Sequence, residues 1–239
     1  MVAPMGFSSY GWVDGAARRR PRAGRRRPDP HRLTPPRTTI RTIQEAPMAV
    51  LTIGDQFPAY ELTAVVPGNL KEVEASKPED YFTTVSSQVP AGTWRVVFFW
   101  PKDFTFVCPT EIAAFGDLYQ DFKDRDCEVV GVSVDNEYTH YAWRRSHDKL
   151  QDLPFPMASD LNRELTEALG IKRATGEADR ATFIIDPHNV IQSVSVTADS
   201  VGRNTEEVLR QLDALQSDEL CACNWQAGAA TIDALGQMS

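Results

Sequence analysis

A cysteine stands where an apolar, strand-like run gives way to a helix-like pattern. Cys108 follows Trp94–Trp100, which is apolar and rich in β-branched and aromatic residues, and precedes Thr110–Arg125, whose apolar residues recur at helical spacing. The free N–H groups and partial positive charge of a helix N-terminus favour a thiolate over a thiol. Since the thiolate is the nucleophilic form, the position predicts a reactive cysteine. Pro109 supports a helix start, and Thr105 lies within reach of the same pocket.

The other three cysteines suggest separate roles. Cys221 and Cys223 lie one residue apart, and Cys221 comes 113 positions after Cys108. A close pair of thiols suits disulfide chemistry or soft-metal binding. Zinc usually takes four ligands, and the sequence offers no matching second pair, so no metal is expected. Cys127, beside a predicted strand, is interpreted as a small buried residue.

The order of predicted elements indicates an α/β protein with a mixed central sheet and helices on both faces. A thioredoxin-like architecture fits this order, although the pattern alone leaves other α/β folds open. The last helix is the clearest amphipathic one, and Asn204 or Thr205 can cap it. The predicted strands are Trp94–Trp100, Glu128–Val134, and a hairpin of Ala181–Asp186 and Val190–Val196; the predicted helices are Thr110–Arg125, Tyr138–Leu150, Leu161–Leu169 and Thr205–Gln216.

Residues 1–47 differ in composition from the rest of the chain. They contain ten arginines and three acids, a net charge of +7, so the remainder carries −15 of the overall −8. They lack periodicity, which predicts an extension that is disordered or not natively translated. A transit peptide, a regulatory tail and a start codon assigned too far upstream all compete as explanations. We favour the last, with Met48 as initiator, strand-like alternation just after it, and the folded domain spanning residues 48–239.

The charge and apolar patterning narrow the classes of function. No run approaches the roughly 20 apolar residues of a membrane helix, so no membrane association is expected. The acidic body disfavours nucleic acid as a partner, because phosphate contacts need cations. Four cysteines are too few for a disulfide-stapled secreted scaffold, and the N-terminus lacks an apolar signal core, so the cytoplasm is the expected location.

The segment Pro101-x-x-x-Thr105-x-x-Cys108 resembles the peroxidatic signature of peroxiredoxins. The longer Phe-Phe-Trp-Pro-Lys-Asp-Phe-Thr-Phe-Val-Cys-Pro-Thr-Glu is similar to the typical two-cysteine group, specifically to the alkyl hydroperoxide reductase C type. The resemblance runs from about Met48 to near the C-terminus and includes residues 131–135, 153–156, 179–187 and 201–204. It implies a thioredoxin-like fold and a peroxidase for hydrogen peroxide and alkyl hydroperoxides, without metal or organic cofactor.

The resemblance also implies roles for individual residues. Cys108 would be the peroxidatic cysteine that becomes a sulfenic acid, and Thr105 and Arg180 would contact the peroxide and the sulfur. Pro101 would screen the thiol from solvent. The residues expected to orient this group are Glu111 and Arg203.

The C-terminal cysteines depart from the common family pattern, which has one. The pair resembles a three-cysteine branch in which a protein dithiol, rather than only a flavoprotein reductase, donates electrons. Cys221 is the first choice for the resolving cysteine, acting across a homodimer, and Cys223 assists or relays the disulfide. The resemblance further implies a ring of dimers.

Two other classes of function compete with a peroxidase. A binding or chaperone protein could use peroxide only to switch its assembly. A disulfide exchanger of the thioredoxin type needs Cys-x-x-Cys at the helix start, and position 111 is a glutamate here, which argues against it.

Overall fold

The computed structural model describes residues 49–238, so the extension 1–47 and the boundary at Met48 lie outside the described residues. Seven strands form one mixed sheet in the order β2-β1-β5-β4-β3-β6-β7. Strands β3, β4 and β5 are parallel, and the others join antiparallel. The strands are β1 Glu61–Val65, β2 Phe82–Ser86, β3 Trp94–Phe99, β4 Cys127–Ser133, β5 Met157–Ser159, β6 Arg180–Ile185 and β7 Ile191–Thr197. The helices are α1 Cys108–Asp117, α2 Tyr119–Lys123, α3 Glu137–Ser146, α4 Glu164–Ala168, α5 Thr205–Gln216 and α6 Ala234–Met238, with 3-10 helices at Pro78–Tyr81 and Asp148–Leu150.

Strand β3 is buried on both faces, as its continuous apolar run predicts. Val96 and Phe98 belong to one hydrophobic core with residues of α1, α2 and α5. Val97 and Phe99 belong to a second core with residues of α4 on the opposite face. The alternation follows from the period of two in a strand. The predicted α/β fold of thioredoxin-like type, with helices on both faces of a mixed sheet, is confirmed.

Aromatic packing sets helix α1 against the sheet. The ring of Phe115 stacks on that of Phe98 at a centroid distance of 4.1 Å. Gly131 in β4 leaves room for this layer, because a Cβ there would come within 2.9 Å of the Phe98 ring. The N-terminal end of α1, where Cys108 lies, is therefore held by a close-packed core.

The single helix predicted over Thr110–Arg125 is wrong in its extent. The chain forms α1 and α2, which are separated at Leu118, whose φ of −96° and ψ of 4° leave the helical region. Gly116, a poor helix former, lies just before the break. The helix predicted over Tyr138–Leu150 likewise ends at Ser146, because His147 is extended, and a short 3-10 turn follows.

The C-terminal half matches the predicted elements more closely. Strands β6 and β7 form the predicted antiparallel hairpin. Helix α5 spans the predicted residues, and Asn204 is its cap, since its side-chain oxygen accepts a hydrogen bond from the N–H of Glu207 at 3.1 Å. Helix α4 is shorter than predicted and begins after Arg163, whose φ is 64°.

The first described residues do not form the strand that their alternation predicts. Between residues 49 and 60 the only strand-type pairing is an isolated bridge from Gln56 to Val190. Strands β1, β2 and β5 are absent from the sequence-based prediction. Over residues 49–238, the structure contains no helix that is both long and apolar enough to cross a membrane.

Candidate active site

Cys108 is the first residue of α1 and is reached from β3 through the loop at residues 100–107, called here the cysteine loop. Its side chain is buried, with 1% of its surface exposed. No side chain caps the helix at Val107, Pro109 has no N–H, and the N–H of Thr110 donates to the Val107 carbonyl at 3.0 Å. The positive end of the helix dipole nevertheless lies at Cys108. The predicted placement of a cysteine at a helix N-terminus is confirmed.

Arg180 brings a positive charge to the sulfur. It is the first residue of β6 and is 2% exposed. Its Nη1 and Nη2 atoms each lie 3.7 Å from Sγ of Cys108. Nη1 also pairs with the carboxylate of Glu111, and Nη2 donates a hydrogen bond to the backbone carbonyl of Asp199 at 3.0 Å. The guanidinium is thus held by Glu111 and by the Asp199 carbonyl, and both of its terminal nitrogens face the thiol.

Glu111 and Arg203 complete the buried charge cluster. The backbone N–H of Arg203 donates to Oε1 of Glu111 at 2.8 Å, and its Nη1 lies 3.7 Å from Oε2. Burial lowers the pKa of the Arg203 guanidinium to about 10, which still leaves it charged at neutral pH. Two guanidinium groups share one carboxylate, so the cluster has one positive charge left over. A thiolate at Cys108 would balance that charge.

Pro101 and Thr105 both lie on the cysteine loop. Pro101 is buried at its start. The hydroxyl of the half-buried Thr105 donates to the carbonyl of Lys102 at 2.9 Å, so its hydrogen is directed along the loop. The Thr105 oxygen keeps lone pairs that can accept a hydrogen bond from a peroxide.

A buried polar anchor holds the cysteine loop, and the sequence-based interpretation missed it. The carboxylate of Asp103 accepts a hydrogen bond from the indole N–H of Trp100 at 2.8 Å and lies 2.6 Å from Nδ1 of His140. The backbone N–H of Asp103 donates to Asp135 at 2.9 Å. His140 is fully buried on α3. Its helical spacing from Trp143 was the available signal for that burial.

Both C-terminal cysteines lie beyond the end of α5, which is Gln216. Sγ of Cys221 is 3.5 Å from Oγ of Ser217 and 3.8 Å from the carbonyl of Ala214. Cys223 is exposed, and all four cysteines of the chain are free thiols. The segment after this pair is fixed by Trp225, which is 8% exposed and whose carbonyl accepts a hydrogen bond from Arg210 at 3.0 Å. The structure therefore groups Cys108, Glu111, Arg180 and Arg203, while the polar contacts of Cys221 are with α5 and the residue that follows it.

Cys127 is buried, as predicted, and its environment suppresses reactivity. Burial raises the pKa of this thiol to about 12. We expect native protein treated with iodoacetamide at pH 8 to remain unmodified at Cys127, with peptide mass spectrometry as the measurement, because almost no thiolate is present. Cys223, which is exposed, is the internal control and is expected to be alkylated. Modification of Cys127 at a rate comparable to Cys223 would contradict this assignment.

The described residues contain no group of three or more histidine, cysteine, aspartate or glutamate side chains arranged to hold a metal ion.

A mixed sheet with a buried cysteine at the start of a helix, facing an arginine, is the arrangement that the resemblance to peroxiredoxins implies. The family model that matches residues 53–194 is described as the AhpC/TSA family, and the chain belongs to this family. Alkyl hydroperoxide reductase C of Mycolicibacterium smegmatis is 68% identical over 187 residues, which cover 78% of this chain and 96% of that protein.

Solved structures show the same relationship. Mycobacterium tuberculosis AhpC is 63% identical, with a TM-score of 0.71, and the match covers 74% of this chain and all of that one. A reduced 2-Cys peroxiredoxin of Plasmodium vivax is 26% identical, with a TM-score of 0.68, covering 79% of this chain and all of that one. The prediction of a peroxiredoxin of the alkyl hydroperoxide reductase C type is confirmed.

Proposed function

We propose that Cys108 is the peroxidatic cysteine of this thiol peroxidase and reduces hydrogen peroxide and organic hydroperoxides in antioxidant defence. The thiolate attacks the terminal peroxide oxygen, the O–O bond breaks, and the other oxygen leaves and takes up a proton as water or an alcohol. The sulfur is oxidised to a sulfenic acid. Family membership and relatives called alkyl hydroperoxide reductase C support this activity.

The observation that carries the proposal is the guanidinium of Arg180 at 3.7 Å from the Cys108 sulfur. A fixed cation at this distance stabilises the thiolate before reaction and the negative charge on the leaving oxygen during it. Glu111 and Arg203 are proposed to orient Arg180, Thr105 to accept a hydrogen bond from the peroxide, and Pro101 to screen the thiol. Because the cluster is preformed, little reorganisation is needed when the peroxide arrives.

The second half of the cycle is proposed to use the C-terminal pair. The thiol of Cys221 on the partner of a homodimer attacks the sulfenic sulfur, a disulfide forms, and water leaves. Cys223 assists or relays the disulfide to the reductant, a protein dithiol or a flavoprotein, whose two electrons restore both thiols. The exposure of Cys223 supports a role in that exchange. We further propose a ring of dimers and a cytoplasmic location, with neither nucleic acid nor membrane as a partner.

Non-reducing gel electrophoresis after one equivalent of hydrogen peroxide tests this cycle. The wild-type protein is expected to form a disulfide-linked dimer of about twice the 26.6 kDa chain mass. Cys221→Ser is expected to remove that dimer, because the resolving thiol is gone, while Cys223→Ser retains it. Cys127→Ser is the matched control and is expected to behave as the wild type.

Two outcomes would contradict the proposed resolution step. If the dimer persists in Cys221→Ser and disappears in Cys223→Ser, Cys223 and not Cys221 is the resolving cysteine. A chain that stays monomeric in every variant would place the resolving thiol on another molecule.

A further inference from the structure

We propose that Arg173 is a positioning residue that fixes the guanidinium of Arg180 against Cys108. The inference rests on the proposed roles of Cys108 and Arg180 and extends them to a residue outside the buried cluster. It concerns the surface segment that precedes β6.

Arg173 donates hydrogen bonds to both chain segments that position Arg180, one at Asp179 and one at Asp199. Its Nε donates to Oδ1 of Asp179 at 2.7 Å, and Asp179 directly precedes Arg180. Its Nη1 and Nη2 donate to the two carboxylate oxygens of Asp199 at 2.5 Å each. The backbone carbonyl of Asp199 in turn accepts the hydrogen bond from Nη2 of Arg180 at 3.0 Å. One guanidinium therefore connects the residue before Arg180 to a residue that Arg180 itself contacts.

The segment that carries Arg173 is itself well held. Arg173 donates its backbone N–H to the carbonyl of Glu177 at 2.9 Å, within a turn closed by the bridge between Lys172 and Ala178. Glu177 forms an ion pair of 2.7 Å with Lys102 of the cysteine loop. This turn thus contacts the loop that leads to Cys108 as well as the segments around Arg180.

The geometry indicates that the contact between Arg173 and Asp199 affects the position of Arg180 more than the free energy of unfolding. Arg173 and Asp199 side chains are 24% and 58% exposed, and pairs this exposed usually contribute little to the free energy of unfolding. A planar guanidinium that binds one carboxylate through two nitrogens nevertheless fixes direction as well as distance. The hydrogen bonds from Arg173 also lower the pKa of Asp199, so both partners are charged at neutral pH.

The experiment compares Arg173→Met with the wild type by stopped-flow measurement of Cys108 oxidation by hydrogen peroxide. We expect the second-order rate constant to fall about tenfold, because small displacements of catalytic groups are costly. The thermal unfolding midpoint is expected to stay unchanged, and the rate of Cys108 alkylation by iodoacetamide is expected to fall less than the peroxide rate. Iodide leaves without a hydrogen-bond donor, so alkylation loses only the stabilisation of the thiolate, whereas the peroxide reaction also loses the donor to the leaving oxygen. A general structural defect would lower both rates equally.

Two further variants sharpen the test. Lys123→Met breaks an ion pair of similar exposure, with Glu128, and is expected to react at the wild-type rate. The double variant R173M/D199N is expected to be no slower than R173M, because both substitutions remove the same contact. A wild-type rate in R173M, or losses that add in the double variant, would overturn the proposal. Should Cys108→Ser retain activity, the proposed function itself fails; should it be inactive while R173M is normal, only the role of Arg173 fails.

Discussion

Replacing Cys108 with serine is expected to abolish peroxide reduction, with a loss of about 10³-fold or more in turnover. A serine hydroxyl is nearly isosteric with the thiol but is not ionised at neutral pH, so no nucleophile faces the peroxide. The measurement is peroxide consumption with dithiothreitol as the electron donor. Intact mass after one equivalent of peroxide is expected to show no added oxygen at position 108.

The matched control for this variant is Cys127→Ser, which changes another buried cysteine that lies in the same hydrophobic core. Its activity is expected to equal that of the wild type once folding is verified by circular dichroism. Substantial peroxidase activity in Cys108→Ser would exclude the mechanism. So would a loss of activity in Cys127→Ser comparable to that in Cys108→Ser.

Removing the guanidinium of Arg180 is the second change with a large expected effect. In Arg180→Met, the second-order rate constant with hydrogen peroxide is expected to fall on the order of a hundredfold, because the charge on the leaving oxygen loses its fixed donor. The substitution also leaves Glu111 with one guanidinium partner fewer, at 2% side-chain exposure. An incompletely paired buried carboxylate destabilises the fold, so this single variant can lose activity for two reasons.

The double variant Glu111→Gln with Arg180→Met separates those reasons. The amide keeps the hydrogen-bonding capacity toward the N–H of Arg203. The cluster also returns to its wild-type net charge of +1, carried by Arg203, whose Nη2 donates to the carbonyls of Phe99 and Ala181. We expect its unfolding midpoint to recover toward the wild-type value while its peroxide rate stays low. A double variant that regains the wild-type peroxide rate would show that Arg180 serves the fold and not the reaction.

The sequence predicted those elements whose signal is local. Strand β3 has an uninterrupted apolar run, and α5 has one apolar face and a capping asparagine, so both were located. Strand β5 has three residues, and its burial depends on β1 and β4 at its two sides. A three-residue segment of sequence does not distinguish a strand from a loop, because pairing with strands distant in sequence determines which of the two forms.

The residues of the active site also divide into those with a local sequence signal and those without one. Cys108 at a helix start was predictable from its neighbours, whereas Arg180 was singled out only by the family resemblance. It lies 72 positions from Cys108, and no spacing rule links the two. The contact between Arg173 and Asp199 joins two turns on either side of the β6–β7 hairpin. Such contacts follow from the way the sheet is ordered, so they become visible only in three dimensions.

The anchor formed by Asp103 and His140 has a consequence for the net charge of the active site. Nε2 of His140 faces the carbonyl of Ala158 at 3.2 Å, and a carbonyl oxygen only accepts, so Nε2 carries a hydrogen. One more proton then lies between Nδ1 and the Asp103 carboxylate, whichever group formally owns it. In both arrangements the pair is neutral overall. The cysteine loop is therefore held by a pair that shares one proton and has no net charge, and the positive charge next to the Cys108 sulfur is that of Arg180.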